Sequence, residues 1–389
     1  MDQSPIRRLI PYAERAESRG KKVIYLNIGQ PDIKTPKEFI EAINHYKVSV
    51  LEYAPSRGLK ETINTIHAHL QDYGLEYDLG DILVTNGASE AIIFSLLAIC
   101  DKGDEILTIE PFYSNYFSFA RISDARLKGI VTRVEDQFML PPLEEMEKYV
   151  SDKTRAILLS NPANPTGRVY TKEEVESIIT LAKKHDLFIL ADEVYREFNF
   201  TDRNFISFGD YKEVEDRVIL LDSISKKYSA CGARIGAIAC KNKDFIDNVL
   251  KLCQARLSVS TLDQFGASAM GRVDKSYLVN NTKIYKHRRD VLDSILSGIP
   301  GLKYSIPEGA FYTIVDLPVE NAQDFIIWTL ENVEIDNTTI LLTPADSFYT
   351  NPVDGINKCR LSYCVSEEKI SLAGKILAKA LNEYPGTHR

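Results

Sequence analysis

The segment "SISKKYSACGARIG", residues 223–236, combines residue types that could bind an anion and carry out covalent chemistry. Two alternating hydroxyl residues, Ser223 and Ser225, precede Lys226, and Arg234 follows that lysine eight positions later. Hydroxyl and guanidinium groups suit a phosphate, and an activated lysine amine can attack a carbonyl carbon. Taken alone, the segment is equally compatible with a solvated polar turn, and most lysines are surface charges. Whether the segment is a binding site or a solvated turn therefore depends on the elements around it.

Those elements alternate between strands and helices. Apolar, β-rich runs occupy residues 81–85, 105–109, 156–160, 188–191, 218–221 and 235–240. The clearest helix between them is "TKEEVESIITLAKKHD", where Thr171 and Glu174 form a capping-box pattern ahead of an apolar stripe. This alternation predicts an α/β fold with a mostly parallel sheet flanked by helices.

The two chain ends have a different character. Residues 1–45 are charged and interrupted by prolines, whereas the chain after about residue 275 has a charged helix and then short strands near 304, 311–316 and 360–363. We therefore predict a large α/β domain over residues 46–275. A smaller α+β domain would combine residues 1–45 with residues 276–389.

Ligands of parallel α/β sheets bind at the carboxyl ends of the strands. Five of the predicted strands are followed by "NGASEA", "EPFY", "NPANPTG", "DEVY" and the lysine segment. The first opens a helix whose N–H groups suit an anion, and Asp192 in "DEVY" could neutralise a cationic ring nitrogen. Singly, such features are more often ordinary caps, core aromatics or surface acids. Together they indicate a phosphorylated aromatic aldehyde held by a lysine, which describes pyridoxal 5′-phosphate.

The same segments resemble the class I and II aminotransferases of pyridoxal-phosphate fold type I, the aspartate-aminotransferase superfamily. The segments "YAPSRG", "TNGASEA", "PFY", "NPANPTG", "ADEVY", the lysine segment and "CRLSY" occur in the family's order. The resemblance extends from "LNIGQPD" to "CRLSYC", which is nearly the whole chain. It implies the large and small domains of that fold.

The resemblance also implies residue roles. Lys226 would bind the cofactor as a Schiff base and transfer protons, Asp192 would keep the ring nitrogen protonated, and Tyr195 would hydrogen-bond the ring phenolate. The implied cofactor-binding residues are Tyr53, Ala88, Ser89, Tyr113, Asn164, Asp192, Tyr195, Ser223, Ser225, Lys226 and Arg234. The implied substrate-binding residues are Gly29, Asn164 and Arg360, with Arg360 gripping the α-carboxylate. Tyr53 would reach the phosphate of a neighbouring subunit, so the resemblance implies a homodimer with shared active sites.

We therefore expect an aminotransferase that moves an amino group from an L-amino acid, either aspartate or a broad range, to a 2-oxo acid such as 2-oxoglutarate. An aromatic amino acid aminotransferase and a carbon–sulfur β-lyase are the alternatives. Ser89 stands where some members of the family carry lysine, which counts against a simple aspartate assignment. Arg15 and Arg57 are candidates for binding a side-chain carboxylate, although surface charge is the favoured interpretation of both. Residues that would suit an aromatic substrate, or equally a core, are Phe311, Tyr312, Phe348 and Tyr349.

Composition restricts the partners and the location. The net charge of −8 argues against a nucleic-acid partner. The longest apolar run, residues 91–100, is too short to span a bilayer, and the N-terminus resembles no secretory signal. The six cysteines and six histidines are scattered, so no metal site is predicted. We expect a cytoplasmic protein that binds small molecules.

Overall fold

The structure is a computed structural model, and it describes residues 7–388. Its helices are α1 (Ile10–Ser18), α2 (Lys37–His45), α3 (Lys60–Asp72), α4 (Gly87–Ile99), α5 (Asn115–Ile122), α6 (Leu143–Glu147), α7 (Lys172–His185), α8 (Ile224–Lys227), α9 (Lys243–Arg256), α10 (Thr261–Ser268), α11 (Ser276–Leu296), α12 (Ala322–Asn332) and α13 (Glu367–Glu383). Its strands are β1 (Lys22–Tyr25), β2 (Ile82–Thr85), β3 (Glu105–Glu110), β4 (Arg126–Val131), β5 (Thr154–Ser160), β6 (Phe188–Asp192), β7 (Val218–Ser223), β8 (Gly236–Ala239), β9 (Lys303–Tyr304), β10 (Tyr312–Asp316), β11 (Thr338–Leu341), β12 (Thr343–Pro344) and β13 (Lys358–Ser362).

Seven strands form one mixed sheet in the order β2-β8-β7-β6-β5-β3-β4. Only β8 runs antiparallel to its neighbours, and the other pairings are parallel. The residues of β6 and β7 are almost all buried, since helices cover both faces of the sheet. The predicted α/β fold with a mostly parallel sheet is confirmed.

All six predicted runs of this sheet are strands, whereas β4 was not predicted. The β4 sequence "RLKGIV" mixes charged and apolar residues because β4 is an edge strand, and only two of its six residues are buried. The predicted capping box of α7 is confirmed. The Glu174 N–H donates to Thr171 Oγ1 over 3.3 Å, and the Thr171 N–H donates to Glu174 Oε2 over 2.8 Å.

A second layer of structure brings the two chain ends together. Four strands form an antiparallel sheet in the order β12-β13-β10-β9, and β1 pairs with β11 in parallel. The predicted strands near 304, 311–316 and 360–363 correspond to β9, β10 and β13. Leu9 and Ile24 share one apolar core with Phe325 and Leu377. Residues from both chain ends therefore pack as one unit, which we call the second unit.

The predicted boundary between residues 45 and 46 stays a prediction. Helix α2, which that prediction assigns to the smaller domain, packs against α10, and its Phe39 is buried in the core on one face of the seven-stranded sheet. Between residues 7 and 388, no helix is both long and apolar enough to cross a membrane.

Candidate active site

A cavity of about 480 Å³ lies at the carboxyl ends of the parallel strands, where the second unit covers the large sheet. The predicted site residues that line it are Gly29, Ala88, Ser89, Tyr113, Asn164, Asp192, Tyr195, Ser223, Ser225, Lys226, Arg234 and Arg360. Tyr53 does not line it. This side chain is 80% exposed in the single chain, so its proposed reach into a partner's site stays a prediction.

One end of the cavity is built to hold an anion. Helix α4 begins there at Gly87, and Ala88 and Ser89 of its first turn line the cavity. Arg234 faces that helix terminus, because a Cβ added at Gly87 would lie 2.3 Å from Arg234 Nη2. Helix N-termini and guanidinium groups both favour anions, so this end suits a phosphate.

The hydroxyl groups of the lysine segment lie at the same end. Ser223 is the N-cap of α8 and accepts a hydrogen bond from the Ser225 N–H over 3.1 Å. The two hydroxyl oxygens are 2.8 Å apart. Arg234 has a φ of 55°, a left-handed conformation that is uncommon for an arginine. The segment therefore places the hydroxyls of Ser223 and Ser225 and the guanidinium of Arg234 at the same end of the cavity.

Asp192 ends β6 at the floor of the cavity. The Tyr116 hydroxyl donates to its Oδ2 over 2.7 Å, while Oδ1 is buried and has no hydrogen-bond partner among residues 7–388. Burial raises the pKa of Asp192 to about 6. A buried carboxylate oxygen without a partner is costly, and a cationic ring nitrogen would satisfy it.

Lys226 and two tyrosines occupy the centre of the cavity. Lys226 Nζ donates to the Gly29 carbonyl oxygen over 2.8 Å, and the hydroxyls of Tyr195 and Tyr312 are 3.0 Å apart. Burial raises the pKa of Tyr195 well above its ordinary value, so this hydroxyl remains a donor. A Cβ added at Gly29 would lie 1.7 Å from the Tyr312 hydroxyl oxygen, so only glycine fits there.

Arg360 on β13 lines the opposite side and is 1% exposed. Its Nη1 donates to Asn164 Oδ1 over 3.1 Å and its Nη2 donates to the Asn27 carbonyl oxygen over 2.7 Å. Its guanidinium carbon lies 4.6 Å from the centre of the Tyr312 ring. No carboxylate of residues 7–388 forms an ion pair with Arg360, so the site presents a buried positive charge to an incoming anion.

The cavity is electropositive although the chain carries a net charge of −8. Within the described part of the chain, one acid lines it, Asp192, together with four cationic residues: Arg7, Lys226, Arg234 and Arg360. A positively charged cleft concentrates anionic ligands. The arrangement therefore suits a phosphorylated ring and a substrate that carries carboxylates.

Several candidate residues for reading the substrate side chain lie elsewhere. Arg57 donates to the Gly80 carbonyl oxygen over 2.8 Å, and the Arg15 guanidinium stacks over Tyr12 at 4.4 Å, so neither lines this cavity. Of the four aromatic candidates, only Tyr312 lines the cavity. The remaining three are buried in the core: Phe311, Phe348 and Tyr349.

A buried charge network lies behind the lysine helix and was not predicted. Lys227 Nζ lies 2.5 Å from Asp222 Oδ2 and 3.4 Å from Glu197 Oε1, and His69 Nε2 lies 2.8 Å from that glutamate oxygen. Although burial opposes ionisation, the positive charge of Lys227 holds the pKa of Glu197 well below its usual range. Asp222 also accepts the Ser223 N–H over 2.7 Å. The network therefore fixes the segment that carries Lys226.

Replacing Gly87 with alanine is expected to weaken cofactor binding. Gly87 has a φ of +73°, so an alanine costs about 1–2 kcal/mol of stability, and its Cβ would also displace Arg234. Loss of that charged contact should lower the affinity for pyridoxal phosphate by about 10-fold or more, measured by equilibrium titration. Gly74→Ala is the matched control, because Gly74 has a φ of +76° and open space around a Cβ. Equal affinity losses in both variants would contradict the role given to Gly87.

The stability of the cofactor-free protein should depend on Asp192 between pH 3.8 and about 6. The folded state binds this proton more tightly than the unfolded state, so the contribution of Asp192 to stability is full at low pH and is lost as pH rises through about 6. Relative to Asp192→Asn, the wild-type free energy of unfolding should fall on the order of 3 kcal/mol across this window. Urea titrations at several pH values test this. If the free energy of unfolding has the same pH dependence in the wild-type protein and in Asp192→Asn, the raised pKa of Asp192 is contradicted.

Comparison with known proteins gives a consistent result. The sequence pattern of the family described as aminotransferase class I and II matches residues 21–375. A probable aspartate aminotransferase of Methanocaldococcus jannaschii is 33% identical, covering 90% of this chain and 91% of the relative. A probable aspartate/prephenate aminotransferase of Aquifex aeolicus is 30% identical, covering 98% and 96%. The solved structure of an aspartate aminotransferase from Thermotoga maritima has a TM-score of 0.89 and 28% identity, covering 98% of each chain.

Proposed function

Since the chain belongs to the class I and II aminotransferase family, we propose that the cavity binds its pyridoxal phosphate and that L-aspartate is its amino donor. The chain is a pyridoxal-phosphate-dependent aminotransferase, so it moves an amino group from an amino acid to a 2-oxo acid. We propose 2-oxoglutarate as the acceptor. The observation that carries the proposal is the electropositive cavity in which Lys226, Asp192 and Arg360 meet.

The residues present fit the cofactor. The N-terminus of α4, Ser223, Ser225 and Arg234 would hold the phosphate, and the unpaired Oδ1 of Asp192 would accept the ring N–H. Asn164 and Tyr195 would donate to the phenolate oxygen, and Tyr113 would pack on the ring. When bound, pyridoxal phosphate supplies an aldehyde carbon and an electron-withdrawing ring next to the substrate α-carbon.

The protein's own groups then position the substrate and move its proton. Arg360 binds the α-carboxylate as a two-point fork, since its guanidinium has no acidic partner among residues 7–388. Lys226 Nζ, which donates to the Gly29 carbonyl oxygen over 2.8 Å, would take the α-proton from the bound amino acid and deliver it to the carbon that was the aldehyde of the cofactor. Gly29 and Tyr312 from the second unit cover the site and restrict water.

The choice of aspartate is supported by the names of the relatives and by the charge of the cavity. The M. jannaschii and T. maritima proteins are named for aspartate. A dicarboxylic substrate would match a cavity with an excess of cationic side chains, whereas Phe311, Phe348 and Tyr349, which could have suited an aromatic substrate, are core residues. A panel of amino acids with 2-oxoglutarate tests this choice. Aspartate should have the highest kcat/KM, and a higher value for another amino acid would contradict this choice. Pyruvate with ammonia as the main products of a β-substituted alanine would instead favour the β-lyase alternative.

We further propose a homodimer in the cytoplasm. The exposed Tyr53 is available to reach a partner's phosphate site, and all six cysteines are free thiols, as is common in a reducing compartment. Light scattering combined with the activity of Tyr53→Phe tests the shared site. A fully active monomer would contradict it.

A further inference from the structure

Arg7 lines the same cavity, and no residue role proposed above accounts for it. Resting on the proposed function, we propose that Arg7 binds the side-chain carboxylate of a dicarboxylic substrate and so determines the preference for aspartate and glutamate over substrates with one carboxylate. The residue precedes α1 in the N-terminal segment, and its side chain is exposed at the cavity rim.

The backbone of Arg7 is held in place by its neighbours. The Ile10 N–H donates to the Arg7 carbonyl oxygen over 3.0 Å. The next residue, Arg8, forms a two-point ion pair with Asp346 over 2.9 and 2.7 Å, and Leu9 is buried in the core shared by both chain ends. The adjacent arginines therefore have different roles, because Arg8 is neutralised by a fixed acid while Arg7 extends from an anchored position.

The anchor places Arg7 near the substrate-binding side of the cavity. Asp346 begins a short turn that ends at Phe348, and the Arg360 guanidinium lies 5.3 Å from the centre of the Phe348 ring. The Phe112 N–H donates to the Phe348 carbonyl oxygen over 2.9 Å, next to cavity residue Tyr113. The ion pair of Arg8 thus ties the N-terminal segment to the turn that supports Arg360, rather than to the phosphate end.

Of the four cationic residues that line the cavity, Arg7 remains to bind a second carboxylate. In the proposed function Arg234 binds the phosphate, Lys226 becomes bonded to the cofactor, and Arg360 binds the α-carboxylate. The Arg7 side chain forms no hydrogen bond or ion pair with any residue from 7 to 388. Asn115 also lines the cavity, but its side-chain amide is neutral and donates to the Tyr113 hydroxyl over 2.7 Å. A guanidinium is the group that best recognises a carboxylate.

Single half-reactions with one amino acid at a time provide the test, because they omit the dicarboxylic acceptor. In Arg7→Gln the second-order rate constant should fall about 10-fold to 100-fold for aspartate and glutamate, and stay within about 2-fold for alanine. Arg7→Lys should recover part of the loss. Succinate, a non-reacting dicarboxylate, should inhibit Arg7→Gln more weakly than the wild-type enzyme.

Arg15→Gln is the matched control, because Arg15 is an exposed arginine of the same segment that lies outside the cavity. This variant should keep the wild-type preference. If the wild-type enzyme prefers aspartate and Arg7→Gln keeps that preference, or loses aspartate and alanine activity equally, the inference about Arg7 is wrong and the proposed substrate stands. A wild-type enzyme that prefers alanine to both dicarboxylic amino acids would overturn the proposed substrate and the Arg7 inference together.

Discussion

Lys226→Ala should lower the transamination rate by ~10⁴-fold or more, because one side chain both attaches the cofactor and transfers the α-proton. Lys226 carries the one amine among the described residues of the cavity, where the other cationic side chains are arginines. Steady-state and single-turnover rates with aspartate should fall together. Lys183→Ala, an exposed lysine of α7, should keep the wild-type rate.

A second measurement separates loss of chemistry from loss of folding. Among residues 7–388, the Lys226 side chain forms one hydrogen bond, to the Gly29 carbonyl oxygen, whereas the side chain of the neighbouring Lys227 forms ion pairs with the buried Asp222 and Glu197. The free energy of unfolding of Lys226→Ala without cofactor should therefore remain close to the wild-type value. A variant that is folded, binds pyridoxal phosphate and still transaminates at the wild-type rate would falsify the role of Lys226.

Arg360→Gln should reduce kcat/KM by about 10²-fold to 10³-fold, mostly through a higher KM, because the α-carboxylate loses a buried two-point contact. Arg360→Lys keeps the charge without the planar fork, so it should recover only part of the loss. Binding of pyridoxal phosphate should change far less than kcat/KM in both variants, since Arg234 and the serines hold its phosphate.

Arg360→Gln is also expected to lose less stability than is usual when a buried charge is removed. Removing one partner of a buried ion pair costs about 3–5 kcal/mol, but Arg360 has no acidic partner among residues 7–388. Arg360→Gln should therefore lose far less stability than that in urea titrations of the cofactor-free protein. A loss of the full size, with an unaltered KM, would mean that Arg360 is a structural residue.

Much of the site could be predicted because its chemistry follows strand ends. Asp192, Asn164 and Lys226 each lie within five residues after a run of apolar residues, and the fold brings those strand ends to one cavity. Arg360 and Gly29 could be assigned only through the family resemblance, since their segments lie at opposite ends of the chain.

The residues that were missed carry no local signal. Tyr116, which donates to Asp192, resembles the other aromatic residues of α5 in sequence. Lys227 and Asp222 read as surface charges until the fold buries them against Glu197 and His69. Arg7 and Arg8 are identical neighbours in sequence, and only the position of Asp346 distinguishes the anchored arginine from the one at the cavity. Local sequence patterns therefore do not predict contacts between residues that lie hundreds of positions apart, such as Arg8 and Asp346.

The visible absorbance spectrum of the purified protein loaded with pyridoxal phosphate tests the central claim most directly. Addition of L-aspartate alone should remove the yellow band, and subsequent addition of 2-oxoglutarate should restore it, while Lys226→Ala should complete neither change at the wild-type rate. Borohydride reduction of the yellow protein should leave the cofactor on the peptide that contains Lys226. A protein that takes up no pyridoxal phosphate, or whose band no amino acid changes, would contradict the account.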